Sequence, residues 1–306
     1  MTSPAFLALD WGTTNLRAWV VNADGSIGAN QDFALGVSKL APGEPERRFR
    51  DEVRPALGAE RLPAILCGMI GSTLGWIEVP YLDCPAGLPE LARALRRVDG
   101  AAPPAAIVPG LRALRPHGAG PDVMRGEETQ ILGWAASDPQ ASRGPRLVCH
   151  PGTHAKWVLV REGRIERFVT AMTGELFDVL SKHSVLKSVA GADDVAAFDR
   201  GLEAAGDGGA LAARLFTVRS KVVGGDMPAE AARSYLSGLL VGAEVAGVPD
   251  LLDAKAEGPV VLIGDPGLTR LYARALERLG TAVEVHDGEA AGLAGLKALF
   301  GQGGVA

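Results

Sequence analysis

Two stretches of the chain place a polar residue, a glycine and a threonine at the same spacing, and the spacing suits phosphate chemistry. In the first, Asp10 stands two positions before Gly12-Thr13, with Thr14 next; in the second, His150 stands two positions before Gly152-Thr153. A Gly-Thr turn exposes backbone N–H groups and a hydroxyl toward one point. Two such turns facing each other would hold a polyphosphate between them. The likeness extends to both sides of the turns, in FLALDWGTTNLRAWVVNADGSI (Phe6 to Ile27) and RLVCHPGTHAKWVLVREGRI (Arg146 to Ile165). Each opens on an apolar strand, carries Trp-Val beyond the turn (Trp19-Val20, Trp157-Val158) and closes on an acidic-Gly turn (Asp24-Gly25, Glu162-Gly163). Both read as a β-hairpin that leads to a third strand. Two copies half a chain apart imply two related α/β domains.

The elements between the hairpins alternate. A polar helical stretch over Glu44 to Leu57 precedes a short buried strand over Pro63 to Cys67, then the glycine-rich loop GMIGSTLGW (Gly68 to Trp76). Pro89 to Val98 is expected as a helix, Ala105 to Pro109 as a strand and Glu127 to Ala136 as a helix entered through Gly126. Pro103, Pro104, Pro116 and His117-Gly118-Ala119-Gly120 mark loops. After the second hairpin come helices near Gly174 to Lys182, Asp193 to Ala204, Gly208 to Ser220 and Pro228 to Ala246. The chain then alternates strand Pro259 to Ile263, helix Leu268 to Leu279, strand Ala282 to His286 and a closing helix Glu289 to Phe300 that Asp287 is placed to cap. The polar, Gly/Pro-containing stretch Ser137 to Pro145 is the expected boundary. It gives an N-terminal domain of 1–140, completed by the closing helix over 288–301, and a C-terminal domain of 146–287.

Composition narrows the function classes. At 306 residues the chain is about two domains long. With 47% hydrophobic and 22% charged residues it is globular in type. The 31 basic and 36 acidic side chains give a net charge of −5, and no window gathers Lys and Arg into a phosphate-tracking stripe, so no nucleic acid is expected as a partner. MTSPAFLALD has no basic n-region, and the apolar run Tyr235 to Val248 is short and carries Glu244, so no membrane span is expected. Cys67, Cys84 and Cys149 stand far apart without a CxxC, which fits buried thiols in a reducing cytoplasm.

Taken together, the two phosphate hairpins, an acidic helix start in mid-chain, a late strand-Gly-Asp-helix and a closing Ala/Gly-rich helix resemble the superfamily of actin, hexokinase and the heat-shock chaperone ATPases. Within it, DWGTTNLRAW, MIGSTLGWIEVPYLDCPAG, MRGEETQILG, HPGTHAKWV and MTGELFDVLSKHSVL resemble the 2-dehydro-3-deoxygalactonate kinases, over nearly the whole chain. The resemblance implies two ribonuclease-H-like α/β domains facing an interdomain cleft. It implies a cytoplasmic kinase that uses ATP and Mg²⁺ to phosphorylate a 2-keto-3-deoxy sugar acid at its 6-position, in galactonate catabolism. The galactonate and gluconate epimers differ at one stereocentre and both stay open, as does a homo-oligomeric state.

Residue by residue, the resemblance makes Asp10 the carboxylate that organises Mg²⁺ through water, a role that suits a lone Asp at a strand end. Gly12, Thr13 and Thr14 of the first turn and Gly152 and Thr153 of the second would cradle phosphates. In the second hairpin His150 stands where many relatives carry Asp, so a fixed ammonium on Lys156 is expected to replace metal charge near the β- or γ-phosphate. Gly264 and Asp265 fall where the adenosine loop approaches the nucleotide, at a helix N-terminus that offers donors. Glu127 and Glu128 occupy the place of a carboxylate aimed at the attacking oxygen, although the helix dipole alone would favour acids there. Glu127 is the first choice for the base, with Asp83 and Glu175 in reserve. A sugar acid calls for a carboxylate clamp, for which Arg17, Arg125, Ser72 and Thr73 are candidates, while Gly174 and Glu175 would line the other side.

Two other classes compete. Acids followed by a hairpin also look like an exopolyphosphatase, which uses water as nucleophile and needs no sugar pocket. A nucleotide-dependent regulator would keep the phosphate loops and add a partner domain or an exposed arm.

Overall fold

The computed structural model describes residues 3–115, 120–140, 142–187, 189, 191–206, 210–252 and 256–305. The loop expected at Pro116 to Ala119 and the helix start expected at Gly208 lie outside them. In chain order the first strands are β1 (Pro4–Trp11), β2 (Leu16–Asn22) and β3 (Ile27–Phe33). Helical turns follow as α1 (Glu44–Arg48), a π segment (Phe49–Val53) and α2 (Arg54–Ala56), then β4 (Ala64–Gly68), β5 (Leu82–Asp83) and β6 (Ala86–Gly87). Next come α3 (Leu88–Arg93), β7 (Arg96–Arg97), β8 (Ala105–Ile107), β9 (Leu111–Leu114), β10 (Pro121–Met124) and α4 (Glu127–Ser137). The second hairpin forms β11 (Arg146–His150), β12 (Ala155–Arg161) and β13 (Arg164–Ala171). Four helices follow: α5 (Thr173–His183), α6 (Val195–Gly206), α7 (Leu211–Val223) and α8 (Ala232–Gly247). The chain ends with β14 (Val260–Gly264), α9 (Pro266–Arg278), β15 (Val283–Asp287) and α10 (Gly288–Gly303).

The chain packs as two compact units, Met1–Pro145 with Val160–Arg167 and Gly288–Ala306, and Arg146–Leu159 with Phe168–Asp287. The sheet of the first unit runs β3-β2-β1-β4-β8-β7. β1 pairs antiparallel with β2 and parallel with β4, and every residue of β4 (AILCG) is buried, as a central parallel strand requires. Leu7, Leu9, Trp11, Leu16, Leu66 and Ile107 form the core beneath it. On the same unit α10 packs against α3 and α4, and Phe300 stacks on Phe6 of β1 with ring centroids 3.9 Å apart.

The sheet that carries the second hairpin runs β15-β14-β11-β12-β13, with β14 parallel to both β11 and β15. Read from the third hairpin strand, both sheets share the order third, second, first, fourth, fifth. The repeat in the sequence is therefore a repeat of topology. Two clusters fill the second unit, one around Trp157, Phe198, Leu262 and Tyr272 and one around Tyr235, Leu236 and Leu239. The segment Ala229–Leu252 is long and apolar enough to cross a membrane, yet it packs as a core helix with 56% of its apolar window buried.

Three features depart from the sequence reading. The helix expected over Pro89 to Val98 ends at Arg93, because Arg96 and Arg97 instead pair antiparallel with β8. β5, β9 and β10 form a small three-stranded sheet that no expectation covered. The hairpin tip Val160–Arg167 counts with the first unit, where β6 pairs with Arg164 and Ile165 and Arg164 meets Glu90 at 3.1 Å.

Candidate active site

The first Gly-Thr turn is braced from behind. The carbonyls of Gly12, Thr13 and Thr14 accept the N–H groups of Val37, Ser38 and Gly36 at 3.1 to 3.2 Å, and the Ser38 hydroxyl adds a 2.8 Å bond to Thr13. Thr13 and Thr14 are exposed, and among the described residues nothing accepts from their N–H groups. The turn thus presents donors outward, as a phosphate cradle must.

Asp10 is the last residue but one of β1, beside this turn, with Cys67 of β4 opposite on one side and Arg17 of β2 on the other. Burial pushes its carboxyl up to about 6; Arg17 and the Cys67 thiol pull it down, while Glu127 and Glu289 push it further up. Arg17 itself is half exposed and lies 3.9 Å from Asp32 and 4.0 Å from Glu289. Its surroundings are those of a counter-ion to a carboxylate cluster.

The acidic pair reaches Asp10 through two glycines. Gly126 has φ 111 and Gly68 has φ 87, conformations that a side chain rarely adopts. A Cβ on Gly126 would stand 3.3 Å from the Cα of Gly68, and one on Gly68 would stand 3.2 Å from Asp10 Oδ1. The start of α4 therefore abuts the end of β4, and its carboxylates stand near Asp10.

The two acids then take different places. Glu128 is fully buried, accepts the Gly126 N–H at 2.7 Å and the Thr129 hydroxyl at 3.1 Å, and is pushed up to about 8 by burial and by the charge of Glu127. Glu127 is half-buried and accepts the Arg125 N–H at 3.0 Å. Of the pair, Glu127 keeps a solvent-facing side.

Arg125 differs from the open clamp that the sequence suggested. It is 8% exposed, gives Nη2 to the Val79 carbonyl at 2.6 Å and lies 4.4 Å over the Tyr81 ring. Its Nη1 packs where a Cβ on Gly71 would stand at 2.8 Å, and Nε and Nη1 find no partner among the described residues. The guanidinium props the loop from below. In that loop Ser72 gives its hydroxyl to Met69 O at 2.7 Å, while Thr73 is exposed.

In the second unit, α5 seals the other turn. A Cβ on Gly174 would meet Gly152 O at 2.4 Å, so only glycine lets the helix start lie on the Gly152-Thr153 backbone, and Glu175 N donates to Thr153 O at 2.9 Å. Glu175 pairs with His154. Lys156 is buried, with Nζ donating to His154 O at 3.1 Å, so its ammonium braces the turn from inside instead of projecting from it. The donors expected at the start of α9 are also taken: Asp265 Oδ1 accepts Gly267 N at 2.8 Å and Leu268 N at 3.1 Å as a helix cap.

A cavity of about 720 Å³ opens here, lined by Gly152, Thr173, Gly174, Asp265, Gly267 and Tyr272, with Ser234, Ser237 and Arg270 on its walls. Its size is that of a small-molecule site. It joins residues expected to bind nucleotide with Gly174, which was expected to bind sugar. Asp83, held in reserve as a base, forms an ion pair at 3.0 Å with Arg112 in the small sheet.

With this geometry in view, the chain matches the 2-keto-3-deoxy-galactonokinase family over residues 10–299. It belongs to that family. Among the family's named proteins, it is 39% identical over 304 residues to the "Probable 2-dehydro-3-deoxygalactonokinase" of Rhizobium meliloti (strain 1021), covering 97% of each chain. It is 36% identical to the 2-dehydro-3-deoxygalactonokinase of Escherichia coli (strain K12), covering 96% of this chain and 97% of that one. A crystal structure from Sinorhizobium meliloti that carries the same enzyme name superposes with a TM-score of 0.84 at 36% identity, over 96% of this chain and 98% of the other. The mixed α/β fold and the family resemblance read from the sequence are both borne out.

Proposed function

We propose that this chain is an ATP-dependent sugar-acid kinase that transfers the γ-phosphoryl group of ATP to the 6-hydroxyl of 2-dehydro-3-deoxy-D-galactonate, giving the 6-phosphate and ADP in galactonate catabolism. The observation that carries the reading is the family match across residues 10–299, which takes in both Gly-Thr turns, the carboxylate cluster and the cavity. In this reading each unit is a ribonuclease-H-like half of the actin-like superfamily, which the shared strand order supports, and the enzyme works in the cytoplasm.

The acceptor oxygen attacks the γ-phosphorus, the bond to the β,γ-bridging oxygen breaks and ADP leaves with that oxygen. Glu127 takes the hydroxyl proton, because it is the half-buried carboxylate of the pair and Glu128 favours its neutral form. The exposed N–H groups of Thr13 and Thr14 hold phosphate oxygens, and the cavity beside Gly152 and Gly174 takes the nucleotide. Among the described residues no group of three or more His, Cys, Asp and Glu is disposed to hold a metal. Asp10 fits Mg²⁺ in the other way, as one carboxylate of a half-buried residue in a locally negative site, with water and phosphate oxygens as the remaining ligands. When bound there, Mg²⁺ would neutralise phosphate charge. Arg125 acts on the acceptor side through the Gly71-Ser72-Thr73 loop that it props, with Thr73 the exposed member of that loop.

Coupled ADP release tests this reading across 2-keto-3-deoxygalactonate, its gluconate epimer, glucose, glycerol and no acceptor. Release that requires a sugar acid is expected. Fast release without any acceptor would make the protein a phosphohydrolase instead.

A further inference from the structure

Glu244 stands in the apolar face of α8 and is 4% exposed, a place where a carboxylate needs a reason. Three donors from three different elements meet it. Trp157 of β12 gives its indole N–H to Oε1 at 2.7 Å, Tyr272 of α9 gives its hydroxyl to Oε2 at 2.8 Å, and Thr173 at the start of α5 adds its own hydroxyl. Thr173 also stands beside the Tyr272 hydroxyl, so the two hydroxyl donors converge on the carboxylate from adjacent positions. Nothing in the phosphate chemistry uses this carboxylate, yet both of its hydroxyl donors line the cavity, and α8 contributes Ser237 and Val241 to the same walls. Trp157 is the neighbour of Lys156, which braces the Gly152-Thr153 turn.

We infer that Glu244 is a positioning residue for the nucleotide subsite, one carboxylate that fixes the turn-bearing strand, the α5 start and the α9 wall relative to one another. The inference rests on the reading of this cavity as the place of the nucleotide. An acceptor shared by three walls sets their spacing in a way that apolar packing does not, because each donor has one direction in which it is satisfied. Burial pushes the Glu244 carboxyl up while its three donors pull it down, with burial the largest effect. The demand is therefore for acceptor geometry more than for charge.

Glu244→Leu and Glu244→Gln separate the two. Leucine leaves the indole, the phenol and the threonine hydroxyl without their acceptor, so KM for ATP and Kd for ADP by calorimetry are expected to rise about tenfold or more, with KM for the sugar acid within about twofold. Glutamine is expected to restore both nucleotide constants to within about threefold, since its oxygen can face the indole, which only donates, and its amide the hydroxyls, which can accept. Tyr272→Phe removes one donor, keeps the ring and should raise the nucleotide constants by a smaller factor, about two- to fivefold. It carries the test should the leucine variant not fold. Unchanged ADP binding in the leucine or phenylalanine variant would overturn the inference, as would a glutamine variant as impaired as the leucine one, or equal losses for both substrates. A wild-type protein that binds no ADP would sink the reading of the cavity itself, a result distinct from all of these.

Discussion

At the first Gly-Thr turn the strand carries Asp10 next to its last residue, and the helix that meets it brings Glu127 and Glu128. At the second, the strand ends in His150, the neighbouring cation is Lys156, and the helix that meets the turn lays Gly174 on its backbone. Both turns sit in the same place of the same strand order, and they differ in their side chains and in the segment that braces them, Gly36 to Ser38 behind the first and the α5 start on the second. The first buries carboxylates beside one another: burial, with the charge of Glu127 adding to it, pushes Asp10 up to about 6 and Glu128 up to about 8. The second buries the Lys156 ammonium against the His154 carbonyl, and a cavity opens beside the turn. In the proposed reading the duplicated fold separates two tasks: one copy provides carboxylates for the metal and the proton, the other provides shape for a ligand.

Replacing Glu127, the proposed proton acceptor, should show this division most strongly. Glu127→Gln keeps size and hydrogen bonding but loses basicity, so turnover is expected to fall by ~10²- to 10⁴-fold while KM for ATP and for the sugar acid stay nearly unchanged. Steady-state kinetics with melting curves checks this. Loss of affinity along with rate would mean that the carboxylate binds and does not catalyse.

Asp10→Asn follows. It leaves a near-isostere at the strand end and should lower turnover by ~10²-fold or more, with a raised Mg²⁺ requirement. Near-normal turnover at saturating Mg²⁺ and ATP would break the comparison, because the first turn would then need no carboxylate.

How much of this was legible follows from what each feature depends on. The hairpins are local: an apolar strand, a Gly-Thr turn and an acidic-Gly turn lie within some twenty residues, so β1 to β3 and β11 to β13 could be read directly. The small sheet was not legible, since LRAL and PDVM are four-residue strands that only tertiary pairing stabilises. That the acidic pair stands at a helix start could be read, but which member is buried depends on a 100° step around α4 and on Gly68 meeting Gly126. Lys156 looked like a free cation because nothing in HPGTHAKWV says that the turn folds back over it. Glu244 looked like a blemish in an apolar run until three distant donors converged on it.

Lys156→Met tests the second turn. Since the ammonium braces the turn that lines the cavity, turnover and ATP affinity should each worsen by about tenfold, and sugar-acid affinity should stay as it is. Calorimetry with each ligand decides. Weakened sugar-acid binding with normal ATP binding would place Lys156 on the acceptor side and erase the division of labour between the turns.

The smallest effect on rate is expected for Glu128→Gln, and it is also the sharpest measure of how far burial beside Glu127 holds this carboxyl neutral. Glu128 is fully buried, and its carboxyl is pushed from an ordinary 4.5 up to about 8. Below pH 4.5 both folded and unfolded chains carry the proton and the residue leaves stability unchanged with pH. Between 4.5 and about 8 the unfolded chain releases its proton while the folded one keeps it, so stability falls as pH rises through this window. Glutamine mimics the protonated acid and removes the fall. The variant should therefore melt close to wild type at pH 5 and several degrees higher at pH 8, a difference of up to about 4 kcal/mol in unfolding free energy. Turnover should remain within about threefold, since the neutral form is the one already favoured. Asp10 would still contribute its own, smaller fall up to about pH 6, which Asp10→Asn should remove separately. A Glu128→Gln variant that melts lower than wild type at pH 8 would mean that the folded protein holds this carboxylate ionised. Three negative charges would then stand near the end of β1, and if Mg²⁺ binds at Asp10 as proposed, chelation should lower the melting temperature of the wild-type protein.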